Sequence, residues 1–267
     1  MLDLPTTSTL SLRRDGWRLY VTLDRPEARN AMSAAMAAEL RAVADAVDAD
    51  PSIRAVILRG AGGTFCAGGD IKDMARARAE ERTPERDPIA ELNRSFGATL
   101  ERLEGLGAAV IAVVEGVALG GGFGLACVAD VTLCARDARF RLPETGLGIT
   151  PAQIAPFLVR RMGLTQARRL AVTGASLDAE QAVLLGIAHA VADDVDGALQ
   201  AELARIARCA PGAVASTKRL MLRVGTAPLG EVLDAAAADF AERSRGEEAA
   251  AGFAAFLGKT SPPWVGS

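Results

Sequence analysis

The sequence of 267 residues predicts an α/β fold in which short apolar strands alternate with helices, followed by an all-helical C-terminal segment. Three observations support this prediction. Strand-like apolar runs recur ahead of helical patterns, glycine clusters join the two, and strand signals end at about Val195. Apolar strands that alternate with helices are typical of parallel sheets covered on both faces. Because 50% of the residues are apolar, the chain can bury a large core.

The first strand and helix are predicted within residues 17–47. Trp17, Leu19, Val21 and Leu23 alternate with polar residues, which is the period of a half-buried strand. From Asn30 onward the apolar positions follow helical spacing, and the pattern stops before a proline at position 51. This segment therefore reads as strand, turn and helix.

Two further units repeat the design with glycine-rich turns. Residues 55–58 form an apolar strand, residues 60–69 contain the turn, and a helix opens at Asp70. Residues 110–114 form the next strand, and glycines precede a helix at residues 123–129. We expect these strands to pair in parallel through right-handed crossovers. Between the two units, the charged and proline-containing residues 76–88 predict an exposed loop.

The C-terminal part of the chain is predicted to be helical throughout. Residues 199–209, 213–224, 229–243 and 247–256 all show helical patterns rich in alanine. Apolar faces on such helices often need a partner to cover them. We therefore predict a core domain at residues 1–195 that carries the active site, and a helical oligomerisation segment at residues 196–267.

Composition and charge argue against several classes of function. A formal net charge of −3 gives no general attraction to nucleic acid or to an anionic membrane. No apolar run reaches the roughly 20 residues of a membrane helix, and residues 1–14 lack a secretory pattern, so a cytoplasmic location is expected. The four cysteines form no CxxC pair and His189 is the single histidine, so no metal site is predicted.

The two glycine clusters, residues 65–70 and 119–124, are the first candidates for chemistry. Each lies between a strand and a helix, where unpaired backbone amides and the helix dipole favour a negatively charged oxygen. Neither matches the dinucleotide fingerprint GxGxxG, because Leu125 or Cys127 occupies the third glycine position. Either cluster alone is equally consistent with a tight turn. Two clusters in successive units favour a shared site, since neighbouring strands bring the turns together.

Glu144 is the third candidate. It lies between a strand-like segment and a run of glycine and proline, flanked by Leu142 and Leu147. Such surroundings remove water from a carboxylate and raise its pKa, which suits proton transfer.

These three elements, in this order and spacing, resemble the enoyl-CoA hydratase/isomerase (crotonase) family over residues 19–259. The resemblance implies a spiral of β-β-α repeats, a C-terminal trimerisation segment, and a homotrimer or dimer of trimers. It implies an acyl-CoA thioester substrate and no separate cofactor, because coenzyme A enters as part of the substrate. It assigns the two oxyanion-hole amides to Gly69 and Gly121 and the general acid/base to Glu144. Loss of one such donor typically costs about 2.7 to 4 kcal/mol of transition-state stabilisation.

The resemblance also assigns residues that contact coenzyme A. They come from the loop after the first strand, from both sides of the first glycine cluster and from the last helix: Ala28, Arg29, Ala67, Ile71, Lys72, Phe256 and Lys259. For the two lysines, an exposed position without such a role is an equally good interpretation.

The sequence departs from the family pattern at Gly124, where family hydratases carry the first of two glutamates. Glu115 is a conceivable replacement, although its position at a strand end indicates a structural role. The Pro-Ala-x-Ile-x-Pro pattern of residues 151–156 and Gly124 together resemble the hydratases of methylglutaconyl-CoA and isohexenylglutaconyl-CoA. A carboxylate on such a substrate would need a partner, for which Arg141 and Arg160 are candidates.

The predicted function is therefore hydration of an enoyl-CoA in acyl-CoA catabolism, with a branched glutaconyl-CoA as the expected substrate. Two alternatives stay open. One is an enoyl-CoA isomerase that moves a β,γ double bond to the α,β position with Glu144 alone. The other is a non-catalytic member that binds acyl-CoA.

Overall fold

The computed structural model describes residues 4–266, which form two sheets surrounded by helices. The strands, in chain order, are β1 (Leu10–Asp15), β2 (Arg18–Leu23), β3 (Ala55–Gly60), β4 (Ala109–Val114), β5 (Val117–Leu119), β6 (Val131–Ala135), β7 (Arg139–Arg141), β8 (Ser176–Leu177) and β9 (Ala190–Ala192). The larger sheet has the order β1-β2-β3-β4-β6-β9, and the smaller sheet has the order β5-β7-β8.

Eleven α-helices occur among the described residues. They are α1 (Ala34–Ala49), α2 (Ile71–Ala79), α3 (Pro88–Glu104), α4 (Gly121–Val128), α5 (Ala155–Met162), α6 (Leu164–Thr173), α7 (Ala179–Leu184), α8 (Val195–Ala207), α9 (Pro211–Arg223), α10 (Leu229–Arg245) and α11 (Glu247–Gly258). The alternation of strands and helices predicted from the sequence is confirmed.

The large sheet is parallel from β2 to β9, as predicted. In this sheet only β1 pairs antiparallel, as a hairpin with β2, and the sequence patterns had not identified this strand. In the smaller sheet β8 pairs antiparallel with β7. The central strands are covered on both faces. One face packs on α1, α3 and α4, and the other face packs on α8 through Leu199 and Leu203. Double coverage explains why β3 and β4 are nearly continuous apolar runs.

Helix α1 begins at Ala34, four residues later than Asn30, where the helical spacing starts. Asn30 has a left-handed backbone with φ of 55°, which an α-helix does not accept. Its buried side chain donates instead to the carbonyl oxygens of Ala61 and Thr64, at 2.9 and 2.6 Å. Ser33 then caps the helix by accepting a hydrogen bond from the amide of Met36.

The predicted loop at residues 76–88 is shorter than expected, which corrects that prediction. Residues 76–79 continue α2, and α3 begins at Pro88, so the loop covers residues 80–87. Proline is well suited to the first position of a helix because that position needs no amide donor. Asp87 caps α3 by accepting from the amides of Ile89 and Ala90.

Past Ala192 the described part of the chain is helical without further strands, as predicted. Helix α8 packs on the large sheet, whereas α10 and α11 expose large apolar side chains, among them Leu229, Phe240 and Phe253. These exposed faces are consistent with the predicted oligomerisation, which stays a prediction, as does the division at residue 195. Within residues 4–266, every helix is too short or too polar to cross a bilayer.

Candidate active site

The two glycine-rich turns lie against each other, as the sequence predicts. Cys66 and Ala118 form an isolated parallel bridge between them. The amide of Leu119 donates to the carbonyl oxygen of Cys66 at 2.9 Å. A Cβ placed on Gly68 would lie 3.2 Å from the carbonyl oxygen of Leu119 and 4.0 Å from the Cα of Gly120. The turns are therefore in van der Waals contact, and glycine permits this approach.

Gly69 occupies the first turn between two hydrogen bonds made by its neighbours. The amide of Met32 donates to the carbonyl oxygen of Gly68 at 2.7 Å, and the amide of Asp70 donates to the carbonyl oxygen of Met32 at 2.9 Å. These bonds fix the backbone on both sides. The amide of Gly69 itself donates to no group within residues 4–266, so it is available to a ligand.

Gly121 is the first residue of α4 in the second turn. The preceding Gly120 has φ of 46° and donates its amide to the carbonyl oxygen of Arg141 at 3.0 Å. The amide of Gly121 has no acceptor in the described part of the chain. It lies at the positive end of the α4 dipole, which favours a negatively charged oxygen at this place.

Glu144 follows β7 and begins a short 3-10 turn, Glu144–Leu147. A Cβ placed on Gly120 would lie 2.6 Å from the Oε1 atom of Glu144, so the carboxylate touches the second turn. The side chain is 9% exposed, and its Oε2 atom is buried without a hydrogen-bond partner among the described residues. Burial raises the pKa of Glu144, and a hydrogen bond from its own backbone amide offsets part of this effect.

Gly69, Gly121 and Glu144 line one cleft. The wall around them is mostly apolar, with Met74 from α2, Phe96 from α3 and Ile154 before α5. Polar side chains enter from α3 and from the segment before α5, namely Asn93, Ser95 and Gln153. A cleft of this kind, with few polar groups near two free amides, can bind an acyl chain and polarise its carbonyl group.

Gly124, one turn after Gly121 on α4, faces apolar side chains. A Cβ placed there would lie 3.1 Å from the Cδ1 atom of Leu100 and 3.4 Å from the Cγ1 and Cγ2 atoms of Ile154. Glu115 does not replace the absent carboxylate, because it pairs with Arg59 at 2.8 Å and lies outside the cleft lining. Among residues 4–266, the only carboxylates that line the cleft besides Glu144 are Asp70 and Asp73.

Five of the seven residues predicted to contact coenzyme A gather at the first turn. The amide of Ala67 donates to the carbonyl oxygen of Arg29 at 3.0 Å, which joins the loop containing Ala28 to the glycine turn. Ile71 and Lys72 open α2 directly after this turn, and Ile71 is 73% exposed. These positions lie next to the turn that contains Gly69, but they are not part of the cleft lining. Their role in coenzyme binding stays a prediction.

Phe256 and Lys259 lie at the end of α11 and do not line this cleft. Phe256 is 82% exposed and borders a groove formed with α9 and α10. The two candidate partners of a substrate carboxylate also lie outside the cleft lining. Arg141 donates to the carbonyl oxygen of Gly174, and Arg160 pairs with Glu104 at 2.7 Å.

Sequence patterns missed the ion pair that fixes the first turn. The Nη2 atom of Arg25 lies 2.8 Å from the Oδ2 atom of Asp70, and Arg25 also donates to the carbonyl oxygen of Ala31. Asp70 caps α2 by accepting from the amide of Lys72 at 2.8 Å. Burial opposes ionisation of Asp70, but the hydrogen bonds from Arg25 and Lys72 outweigh it and lower the pKa. Arg25 lies 45 residues before Asp70, so no local sequence pattern indicates this ion pair.

Patterns also missed the cleft residues of α3, because residues 89–104 carried no assignment. Leu92, Asn93, Ser95 and Phe96 lie on one face of this helix. Positions three and four apart share a helix face, so the periodicity of this segment was the available signal.

An α/β core that places two free backbone amides beside a buried, unpaired carboxylate has the arrangement of an enzyme that stabilises an oxyanion. The chain belongs to the enoyl-CoA hydratase/isomerase family, whose model matches residues 18–267. Members of this family act on CoA thioesters.

Known proteins support this assignment over the full chain. An enoyl-CoA hydratase/isomerase structure from Marinobacter aquaeolei is 49% identical, with a TM-score of 0.94 and coverage of 96% of this chain and 99% of that chain. Pseudomonas aeruginosa AtuE is 52% identical, with a TM-score of 0.93 and coverage of 97% and 100%. The 2,3-dehydroadipyl-CoA hydratase of Escherichia coli is 32% identical, with coverage of 97% and 99%.

Proposed function

We propose that this protein is an enoyl-CoA hydratase that adds water across the α,β double bond of a branched, glutaconyl-type CoA thioester. The observation that carries the proposal is the Oε2 atom of Glu144, which is buried without a partner among the described residues beside two free amides. The hydratase name of the Escherichia coli relative, at 32% identity, supports the reaction type.

In the proposed reaction, the thioester carbonyl oxygen accepts hydrogen bonds from the amides of Gly69 and Gly121. Water attacks the β-carbon, and Glu144 takes one of its protons as the carbon–oxygen bond forms. The electrons of the double bond move toward the carbonyl oxygen, and the two amides stabilise the resulting enolate. Glu144 then returns the proton to the α-carbon, which gives a 3-hydroxyacyl-CoA.

The raised pKa of Glu144 supports this double role. A carboxylate that is desolvated by its surroundings takes up a proton more readily than an exposed one, and it releases the proton again in the next step. A single group can thus serve as base and as acid.

A branched glutaconyl ester is supported by the apolar wall and by the absence of a carboxylate at Gly124. The described cleft lining contains no lysine or arginine. We therefore assign the substrate's own carboxylate to the side of the cleft with Asn93, Ser95 and Gln153, whose side chains can donate hydrogen bonds. Arg141 and Arg160, the candidates from the sequence for binding this carboxylate, lie outside the cleft lining.

The second candidate function is isomerisation of a β,γ-enoyl-CoA. It is favoured by the apolar contacts of Gly124 with Leu100 and Ile154, because no second carboxylate holds a water there. Glu144 would take a proton from the α-carbon and deliver it to the γ-carbon.

The test is incubation with 3-methylglutaconyl-CoA, crotonyl-CoA and a β,γ-enoyl-CoA in ¹⁸O-labelled water, followed by mass spectrometry. Incorporation of ¹⁸O into the glutaconyl ester, with much less into crotonyl-CoA, supports the proposal. A shifted double bond without ¹⁸O selects the isomerase. Binding of the esters without turnover would leave a non-catalytic acyl-CoA-binding protein.

A further inference from the structure

Ile154 lines the cleft and also packs on Gly124 of α4. Leu100 and Ile154 are both buried, with Ile154 5% exposed, and the Cδ1 atom of Leu100 and the Cγ1 and Cγ2 atoms of Ile154 stand 3.1 to 3.4 Å from a Cβ built on Gly124. A side chain at position 124 would therefore overlap them. The space beside Gly124 is already filled by hydrocarbon.

Gly124 and Gly121 are three residues apart, so they lie on the same face of α4. Gly124 is about 4.5 Å further along the helix axis, a length of the same order as the reach from a carbonyl oxygen to the β-carbon of its thioester. Ile154 and Glu144 line the same cleft. An acyl chain that runs from Gly121 along α4 toward Gly124 brings its β-carbon toward Ile154.

The position of Ile154 is fixed by local structure. Its amide donates to the carbonyl oxygen of Pro151 at 3.1 Å, and its carbonyl oxygen accepts from the amides of Phe157 and Leu158 at 3.1 Å. Ile154 is the N-cap residue of α5, so its side chain is held by a helix and not by a free loop. A side chain held in this way presents a defined surface to a ligand.

We propose that Ile154 is a specificity-determining residue, whose methyl groups contact the substituent on the β-carbon and select CoA esters that carry an alkyl branch there. The inference rests on the proposed function for the orientation of the thioester. A hydrocarbon wall gains contact area with each added methyl group, and one methylene in such a pocket is typically worth about a 10- to 200-fold preference.

The experiment measures binding of two saturated esters that the enzyme cannot hydrate, isovaleryl-CoA and butyryl-CoA. They differ by one methyl group on the β-carbon. Dissociation constants are measured by calorimetry for the wild type, Ile154→Val and Ile154→Ala. The matched control is Ile53→Val, since Ile53 is similarly buried, at 4% exposed, but lies outside this cleft lining.

We expect the wild type to bind isovaleryl-CoA at least about tenfold more tightly than butyryl-CoA. Ile154→Val should reduce this ratio, Ile154→Ala should abolish it, and Ile53→Val should leave it unchanged. An unaltered ratio in folded Ile154 variants overturns the inference, and so does a wild type without preference or without binding. These esters lack a double bond, so the binding preference is measured independently of hydration. If the protein does not hydrate any enoyl-CoA, a measured preference for isovaleryl-CoA still supports the role of Ile154.

Discussion

Two carboxylates, Asp70 and Glu144, are buried to nearly the same extent in one cleft, at 8% and 9% exposed, yet their environments differ. Asp70 pairs with Arg25 and caps α2, and its pKa is lowered. Glu144 leaves one oxygen without a partner in the described chain, and its pKa is raised. Burial raises the pKa of both carboxyl groups, but the hydrogen bonds from Arg25 and Lys72 reverse this effect for Asp70.

The difference suggests a division of roles. A carboxylate held by a guanidinium and a helix amide is stable in its charged form and fixes the backbone of the first turn. A carboxylate that lacks such partners is destabilised when charged, which makes it the better proton carrier. Substitutions that remove the charge from each group without changing its shape can test this interpretation.

The largest expected effect is on catalysis. Glu144→Gln should lower kcat by about 10²- to 10⁴-fold, because an amide cannot exchange a proton with water or with the α-carbon. Asp70→Asn keeps the acceptor that caps α2 and should lower kcat by less than about tenfold. Steady-state kinetics with a CoA ester that the wild type hydrates measures kcat for both variants. Equal losses in the two variants would contradict the assignment of Glu144 as the acid/base.

The next largest effect is expected on the free energy of unfolding, and it should differ between the two glycine turns beside these carboxylates. A Cβ on Gly122 would lie 2.5 Å from the carbonyl oxygen of Cys66, whereas a Cβ on Gly69 meets the flexible end of Met74 at 3.1 Å. Gly122→Ala should therefore lower the free energy of unfolding by about 2 to 3 kcal/mol, and Gly69→Ala by less than about 1 kcal/mol. Chemical denaturation measures both values.

Gly230→Ala is the control for these two variants. Gly230 lies in the first turn of α10 with no atom within 4 Å of its built Cβ. Alanine there should raise the free energy of unfolding by up to about 1 kcal/mol, because glycine is the poorer helix former. Similar destabilisation by Gly69→Ala and Gly122→Ala would show that the two turns are equally constrained.

The contrast between the turns could be predicted from sequence only in part. The strand, glycine and helix pattern located both turns, and the position of Glu144 after a strand indicated a desolvated carboxylate. Local patterns carry this information because strands, helices and glycine turns depend on neighbouring residues. The contact between the two turns could also be predicted, since neighbouring parallel strands bring their carboxyl ends together.

The remaining features depend on contacts that no local pattern encodes. Arg25 and Asp70 are 45 residues apart, and Ile154 reaches Gly124 from a separate helix start. The left-handed backbone of Asn30, which delays α1, depends on carbonyl groups beyond position 60. Phe256 and Lys259 are assigned to coenzyme A from the family resemblance. Within the described chain they lie outside the cleft lining.

A smaller effect is expected on stability when the ion pair of the first turn is broken. Asp70→Asn should lower the free energy of unfolding at neutral pH by about 1 to 3 kcal/mol, because Arg25 then lacks its charged partner. The double variant Arg25→Gln with Asp70→Asn should lose less than the sum of the single losses. Chemical denaturation of the four proteins completes the cycle. Additive losses would show that the pair contributes no coupling.

The smallest effect is the pH dependence of stability, which should have opposite signs for the two carboxylates. For Asp70 the folded pKa is lowered from 3.8, so its contribution is present above that value and is lost as the pH falls through the folded pKa. For Glu144 the folded pKa is raised from 4.5. As the pH rises above 4.5, the unfolded chain loses the proton first, so the contribution of Glu144 to wild-type stability decreases.

Thermal unfolding between about pH 3 and pH 8 tests these signs. Glu144→Gln lacks the carboxylate and should gain Tm relative to the wild type as the pH rises, while the two converge in acid. Asp70→Asn should show the reverse, with its deficit largest at neutral pH and smallest in acid. Curves for both variants that run parallel to the wild-type curve would mean that neither carboxylate has a shifted pKa in the folded cleft. The division between a structural and a proton-transferring carboxylate would then lose its electrostatic basis, and only the kinetic difference could support it.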